Sequence, residues 1–245
     1  MKTAVVAEEP ETGQFEKIAK RGQSGPWTDL GLTFPVFVGY HLGVVGLPVR
    51  NAADVVTREL VALADRNLLN YSALTIAIGL GYVGFFVLAG KGHAFRASRF
   101  VACAAEGVLY AVAMRLLAGY VVGRVFLGAI DMDAYTGFVM SLGAGFYEEI
   151  AFRVILYGLG AKLLAPFFSS AGTVRRGLFK FAWAVVAASV FSGWHYIGAM
   201  GDPFDARSFL FRAVCGLVFT AIYTFRGFAP AVWTHTLYDI WVLVL

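Results

Sequence analysis

Residues 135–165 read YTGFVMSLGAGFYEEIAFRVILYGLGAKLLA, a long apolar stretch whose centre carries Glu148, Glu149 and Arg153. A helix that crosses a membrane needs about 20 mostly apolar residues. The stretch is therefore long enough to span a bilayer. Its length predicts either one strongly tilted helix or two helices broken near Gly143 or Gly145.

Further apolar segments of membrane-spanning length occur on both sides of this stretch. The chain is 59% hydrophobic and 15% charged, whereas a soluble domain carries roughly 25% charged residues. These numbers predict an all-α integral membrane protein, a bundle of about seven to eight transmembrane helices in the lipid bilayer. The other predicted spans are 31–49, 70–90, 99–123, 179–199, 208–226 and 228–245.

Two segments differ from the spans. Residues 1–26 are polar and lack the apolar core of a secretory signal, so they predict a flexible tail before a multi-pass membrane domain at 27–245. Segment 50–69 has apolar residues at helical spacing opposite charged ones, a pattern typical of a helix that lies at the membrane interface. Its apolar residues include Val55, Val56, Leu60, Leu63 and Ala64.

The distribution of basic residues predicts the orientation. Lysine and arginine collect in the tail, after the second span and after the fourth span, which places the N-terminus on the cytoplasmic side. The acidic loops that contain Asp131, Asp133, Asp202 and Asp205 then lie outside. A net charge of +4 spread over several loops is no footprint for nucleic acid. The basic residues concerned are Lys2, Lys17, Lys20, Arg21, Lys91, Arg96, Arg99, Arg175, Arg176 and Lys180.

The charges inside the span at 135–165 need partners. Each unpaired charge costs about 2.5–3.5 kcal/mol at the bilayer centre on insertion scales. Glu149 and Arg153 are four residues apart and share a helix face, which predicts a structural ion pair. Glu148 points about 100° away from Glu149 on an α-helix. We therefore expect Glu148 to face a cavity, where it can act as a general base.

Two later spans carry histidines. Phe191 and His195 are four residues apart near the end of one span, and His235 and Asp239 are four apart in the last span. A single histidine in a membrane helix is usually a hydrogen-bonding packing residue. Together with Glu148, however, these residues indicate a functional cluster, because intramembrane ionisable groups mark function.

The remaining intramembrane polar residues have structural interpretations. Glu106 and Arg115 are too far apart on their helix to pair with each other, so each pairs with another span or, for Arg115, extends to the interface. His41 and His93 have no convergent partners in the sequence. Cys103 and Cys215 lie in apolar segments and are interpreted as buried small side chains without a disulfide.

Three motifs in order, EExxxR, FxxxH and HxxxD, each on a predicted membrane helix, resemble the CPBP family. This family of CAAX-prenyl-protease and bacteriocin-processing proteins, also called the Abi family, consists of intramembrane endopeptidases. The resemblance covers about residues 135–245. The residues that carry it are Glu148, Glu149, Arg153, Phe191, His195, His235 and Asp239.

The resemblance implies a role for each motif. Glu148 and His195 activate a water molecule, and His235 with Asp239 stabilises the oxyanion. Many family members have Asn at the last position. An ionised Asp239 cannot donate a hydrogen bond, so it must be protonated by burial, orient His235 from behind or bind a metal. Glu148, His195 and His235, with Asp239, also form a plausible ligand set for zinc or another divalent metal.

Three classes of function stay open. The first is an endopeptidase acting on a membrane-anchored or lipid-modified protein. The second is a proton-coupled transporter in which the same side chains form a relay; the absence of repeats and of paired broken helices in the sequence argues against it. The third is a non-catalytic immunity or scaffold protein that keeps the motifs.

Overall fold

The structure is a computed structural model that describes residues 25–89, 96–123, 133–168, 172–198 and 201–245. Within these ranges every regular element is helical, which confirms the predicted all-α fold. Most of the predicted N-terminal tail, residues 1–24, lies outside the described residues, as do Lys91, His93 and Asp131.

Eight helices, α1 to α8, follow each other along the described chain, and each overlaps one of the seven predicted spans or the segment 50–69. A short 3₁₀ turn, Val44–Gly46, follows α1. The helices are α1 Pro26–Gly43, α2 Val55–Leu63, α3 Leu68–Ala89, α4 Ala97–Val122, α5 beginning at Ala134 and ending at Phe168, α6 Thr173–Trp194, α7 Ala206–Arg226 and α8 Phe228–Leu243.

Helix α5 is one continuous helix, so the alternative of two broken helices is wrong. It is α-helical over Ala134–Gly143 and π-helical over Ala144–Leu159, and it ends in short α-helical and 3₁₀ pieces. In a π-helix the hydrogen bonds run from i to i+5, which places more residues in each turn. The angle between neighbouring side chains is therefore smaller than the predicted 100°. The change of helix type begins where a break was expected.

Five of the described helical segments are long and apolar enough to cross a membrane, and Leu68–Gly81 is a shorter apolar one. Helix α8 has 16 residues, a length of about 24 Å, which is less than the roughly 30 Å hydrocarbon core of a bilayer. The five are Trp27–Gly46, Ala97–Val122, Ala134–Phe167, Thr173–Trp194 and Ala206–Arg226.

Helix α8 lies at the centre of the bundle, in contact with α1, α4, α5 and α7. Glycines let two of these neighbours approach closely: a Cβ at Gly107 of α4 would lie 3.1 Å from the carbonyl carbon of Trp233, and one at Gly145 of α5 would lie 2.9 Å from the carbonyl oxygen of Val232. Small residues at helix crossings are typical of membrane proteins. They bring α5 and α8, which carry most of the candidate residues, into direct contact.

Aspartate side chains fix the ends of several helices. Asp54 accepts a hydrogen bond from the backbone N–H of Thr57 at 2.8 Å and caps α2, and Asp29 accepts one from Phe228 at 2.8 Å at the start of α8. Asp133 caps α5 through the hydroxyl and backbone N–H of Thr136, and these hydrogen bonds hold the pKa of its carboxyl below the ordinary value. These aspartates set where α2, α5 and α8 begin.

The Gly145 contact predicts a packing-sensitive position. Gly145→Ala should lower the free energy of unfolding by about 1–3 kcal/mol, because the added Cβ would overlap Thr236 and force α5 away from α8. The thermal unfolding midpoint of the detergent-solubilised protein should fall accordingly. Gly81→Ala is the matched control, since Gly81 is exposed on α3 and a Cβ there meets nothing within 4 Å. Equal midpoints for the two variants would contradict the packing argument.

Candidate active site

Glu149 is fully buried and binds two cationic or polar side chains. Its Oε1 lies 3.1 Å from Nη1 of Arg153 and 2.7 Å from Nδ1 of His235. The first contact is the pairing expected within α5. The second links α5 to α8, because His235 is on the last helix. An ionised carboxylate can accept hydrogen bonds but not donate them, so Nδ1 of His235 carries the proton that faces Glu149.

Arg153 is almost completely buried, with 1% of its side chain exposed. Its guanidinium lies over the ring of Phe191 at 4.2 Å and over the ring of Phe219 at 4.9 Å. A cation over an aromatic face gains roughly 2 kcal/mol or more when it is removed from water. Phe191, expected to support the site, therefore holds Arg153 from α6, and Phe219 does so from α7.

His235 is held by contacts on two sides of its ring. It stacks on Phe219, with the ring centroids 4.5 Å apart, and its Nε2 lies 3.5 Å from Oδ2 of Asp239. That distance is too long for a strong hydrogen bond. The carboxylate that orients His235 is therefore Glu149, whereas Asp239 was considered for this role from the sequence.

Glu148 has two chemically different oxygens. Its Oε1 accepts a hydrogen bond from Nδ2 of Asn51 at 2.8 Å. Its Oε2 is buried and has no hydrogen-bond partner among the residues that the structure describes. Burying an acceptor without a partner costs about 1–3 kcal/mol. Such a group is a candidate position for a bound water molecule.

His195 directly follows the last residue of α6. Its Nδ1 lies 3.0 Å from the carbonyl oxygen of Phe191. The carbonyl can only accept, so Nδ1 carries the proton of a neutral ring and Nε2 has the free lone pair. His195 also interacts electrostatically with Glu148, Arg212 and His235, which places it in the same cluster as the other candidates.

Asp239 completes the cluster. Its side chain is 19% exposed, and it interacts electrostatically with Glu148, Glu149, His235 and Arg212. Electrostatic interactions thus link Glu148, His195, His235 and Asp239, which lie on α5, at the end of α6 and on α8. Glu149, Arg153 and Phe191 lie behind them as supporting contacts.

The sequence interpretation missed a buried polar network in the N-terminal half. His41 was expected to lack convergent partners, which is wrong: its Nε2 lies 2.6 Å from the hydroxyl of Tyr147 and its Nδ1 3.5 Å from that of Tyr71. The hydroxyl of Tyr40 donates to Asp54 at 2.7 Å. Asn51, which contacts Glu148, is 97 positions away in the chain, so no local spacing indicates the contact.

Glu106 and Arg115 have the structural roles that were expected. Glu106 of α4 forms an ion pair with Arg226 of α7 at 2.5 Å and accepts a hydrogen bond from Tyr110 at 2.7 Å. The guanidinium of Arg115 lies 5.1 Å from the ring centroid of Trp241. Neither residue joins the candidate site.

The side-chain arrangement does not fit the alternative zinc site. In the described part of the chain, no group of three or more His, Cys, Asp or Glu side chains is placed to hold a metal ion. The contacts of Glu149 and Asn51 leave Nε2 of His235 and Oε2 of Glu148 for a ligand, so it is the spacing of the side chains that does not suit a metal ion. The proposed set of Glu148, His195 and His235 would have to rearrange before it could coordinate a metal.

Comparisons with known proteins identify the region that carries the motifs. Residues 131–241 match the family model described as type II CAAX prenyl endopeptidase Rce1-like, which confirms the family resemblance expected from the motifs. The match supports a protease that acts in a membrane. Neither the comparison with curated proteins nor that with solved structures finds a match.

The buried ion pair predicts a large stability effect at Arg153. Arg153→Met should destabilise the protein by about 3–5 kcal/mol, because it leaves the Glu149 carboxylate buried without its cation. Thermal unfolding in detergent measures this effect. Arg58→Met is the control, since Arg58 pairs with Glu59 on the exposed face of α2 and should change stability by at most about 0.5 kcal/mol. A small effect at Arg153 would mean that Glu149 is held without it.

Proposed function

We propose that this chain, whose residues 131–241 match the Rce1-like family of type II CAAX prenyl endopeptidases, hydrolyses a peptide bond in a membrane-associated protein with Glu148 as the general base. The observation that carries the proposal is the free Oε2 of Glu148, buried in a cluster with His195 and His235. A carboxylate with one unused acceptor beside an imidazole is suited to bind and deprotonate water.

In the proposed first step, a water molecule lies between Glu148 and His195. Nε2 of His195 accepts one hydrogen bond from the water, and Oε2 of Glu148 accepts the other. The oxygen of this water attacks the carbonyl carbon of the substrate as its proton passes to Glu148. The free acceptor on Glu148 and the Nδ1–H of His195 directed at Phe191 support this assignment.

His235 is the proposed donor to the oxyanion. When the carbonyl oxygen takes up negative charge, an Nε2–H on His235 can stabilise it, and removal of such a donor typically costs about 2.7–4 kcal/mol. Nδ1 already donates to Glu149, so an Nε2–H makes the ring an imidazolium. The adjacent Glu149 carboxylate stabilises that charge, which gives Glu149 a function beyond pairing with Arg153.

The tetrahedral intermediate then collapses. The C–N bond breaks, the oxyanion becomes the carbonyl oxygen of a new carboxylic acid, and the proton on Glu148 passes to the leaving amine. The acid then loses its remaining proton, the second proton of the water, to solvent and becomes a carboxylate. Glu148 thus returns to its ionised state, and one water molecule has been consumed. No step in this sequence is assigned to a metal, because the described side chains are not gathered to hold one.

The proposed substrate is a membrane-anchored or lipid-modified protein that enters from the end of the bundle at which His195 lies. At this end the backbone N–H of Asp202 donates to the carbonyl of His195 at 2.9 Å. With a cytoplasmic N-terminus, as the basic residues predict, this end faces outward. The exposed side chains of Trp194 and Ile197 next to His195 are apolar, which suits a lipid-linked tail.

Glu148→Gln should slow the reaction strongly while the protein stays folded. The amide cannot accept the proton of the water, so kcat should fall by about 10²- to 10⁴-fold. Cleavage of a prenylated CAAX peptide by the purified protein in liposomes measures this. Glu59→Gln is the control, because Glu59 is exposed on α2 and should leave the rate unchanged.

Comparison of the membrane proteomes of cells with wild-type protein and with Glu148→Ala identifies natural substrates. Proteins that keep an extra segment only in the mutant are the candidates. A transporter would instead lose flux, and a scaffold would lose neither activity. Undiminished peptide cleavage by Glu148→Gln would exclude Glu148 as the base.

Asp239→Asn separates the roles open to Asp239. If Asp239 is protonated and donates a hydrogen bond to the oxyanion, the amide of Asn can donate in its place. In that case kcat of Asp239→Asn should stay within about tenfold of the wild type. Asp239→Leu removes the donor and should reduce kcat by about 10²-fold or more. A metal ligand would give the opposite result: the Asn variant would be inactive and a zinc chelator would inhibit the wild type. The peptide assay in liposomes, with and without chelator, measures these outcomes.

A further inference from the structure

The turn between α1 and α2, residues 47–54, contacts the candidate site through Asn51. It belongs to the N-terminal part of the chain, outside the region 131–241 that matches the family model. Asn51 in this turn is 7% exposed and contacts Glu148. The turn therefore contributes a buried polar side chain to the site from a part of the sequence without recognised motifs.

The hydrogen bonds of Asn51 fix the orientation of its amide. Its Oδ1 accepts from the backbone N–H of Ala53 at 2.8 Å, so the other end of the amide, Nδ2, must be the group that faces Glu148. An N–H from Nδ2 to Oε1 of Glu148 at 2.8 Å is a hydrogen bond to a carboxylate, a strong kind. The contact cannot be inverted without the loss of the Ala53 bond.

The turn itself is anchored. The hydroxyl of Tyr40 on α1 accepts from the backbone N–H of Asn51 at 3.2 Å and donates to Asp54 at 2.7 Å. Asp54 also caps α2 through Thr57, and Tyr40 is completely buried. These bonds hold the backbone at Asn51 in place, so its amide is presented to Glu148 from a fixed position.

We propose that Asn51 is a positioning residue for Glu148, holding Oε1 so that Oε2 alone is directed at the water. The inference rests on the proposed function. Without the Asn51 donor, the carboxylate could rotate and expose either oxygen in several orientations. A fixed carboxylate presents its free acceptor in one geometry, which is what general-base catalysis requires. The N-terminal half then completes the site.

The first experiment compares Asn51→Asp with the wild type in the peptide assay. Aspartate has the same shape and keeps an acceptor for the Ala53 N–H, but it has no N–H for Glu148. We expect kcat to fall by about 10- to 100-fold, the loss of one hydrogen bond to a charged group, and KM to stay within about threefold of the wild type. Asn70→Asp is the control, since Asn70 is exposed on α3. A purely structural Asn51 predicts unchanged kcat in folded Asn51→Asp, which would overturn the inference.

The second experiment does not depend on activity. Thermal unfolding is measured for Asn51→Asp, Glu148→Gln and the double variant. Asn51→Asp places a new carboxylate next to that of Glu148, and the two repel each other. In the double variant, the new amide at position 148 can donate to the new carboxylate at position 51. The double variant should therefore unfold at a higher temperature than the sum of the single effects predicts. Additive effects would mean that the two side chains do not interact.

The two experiments separate the failure of each proposal. If the wild type fails to cleave membrane-anchored substrates, the proposed function is wrong, and the thermal cycle still decides whether Asn51 holds the side chain of Glu148. If the wild type cleaves and Asn51→Asp cleaves at the same kcat, the proposed function stands and the positioning role is overturned.

Discussion

The carboxylate of Glu149 is a charge that the apolar bundle has to accommodate far from water. Lipid offers no hydrogen-bond donor, so the protein supplies them: Arg153 from the same helix and His235 from α8. The positive charge of Arg153 is also removed from water, and the ring faces of Phe191 and Phe219 stabilise it. One buried charge thus fixes the relative positions of α5, α6, α7 and α8 around a single point.

This constraint also separates the two adjacent glutamates. Because Glu149 is committed to Arg153 and His235, Glu148 projects in a different direction, towards the turn at 47–54 and the end of α6. The π-helical conformation of α5 changes the angles between successive side chains over this segment. Each glutamate keeps one buried oxygen without a partner among the described residues, but Glu149 binds Arg153 and His235, whereas Glu148 binds Asn51.

The N-terminal half is more than a set of generic membrane spans. His41 on α1 and Tyr71 on α3 form a buried network with Tyr147, the residue before Glu148, and the ring of Tyr40 packs against that of Tyr147. Buried polar groups must be satisfied by partners, and these partners hold α1 against α5. The network explains why a turn from the first third of the chain can reach the candidate site with a defined side-chain orientation.

The sequence by itself determined the helical membrane fold, the approximate positions of the helices and the residues that carry the family resemblance, because apolar length and i,i+4 spacing are local properties. The pairing of Glu149 with Arg153 is local in the same sense. Only the tertiary structure decided that Glu149 orients His235, that Asn51 contacts Glu148 and that His41 has partners. These contacts join residues 86 to 106 positions apart, and no periodicity within a helix encodes which faces of distant helices meet.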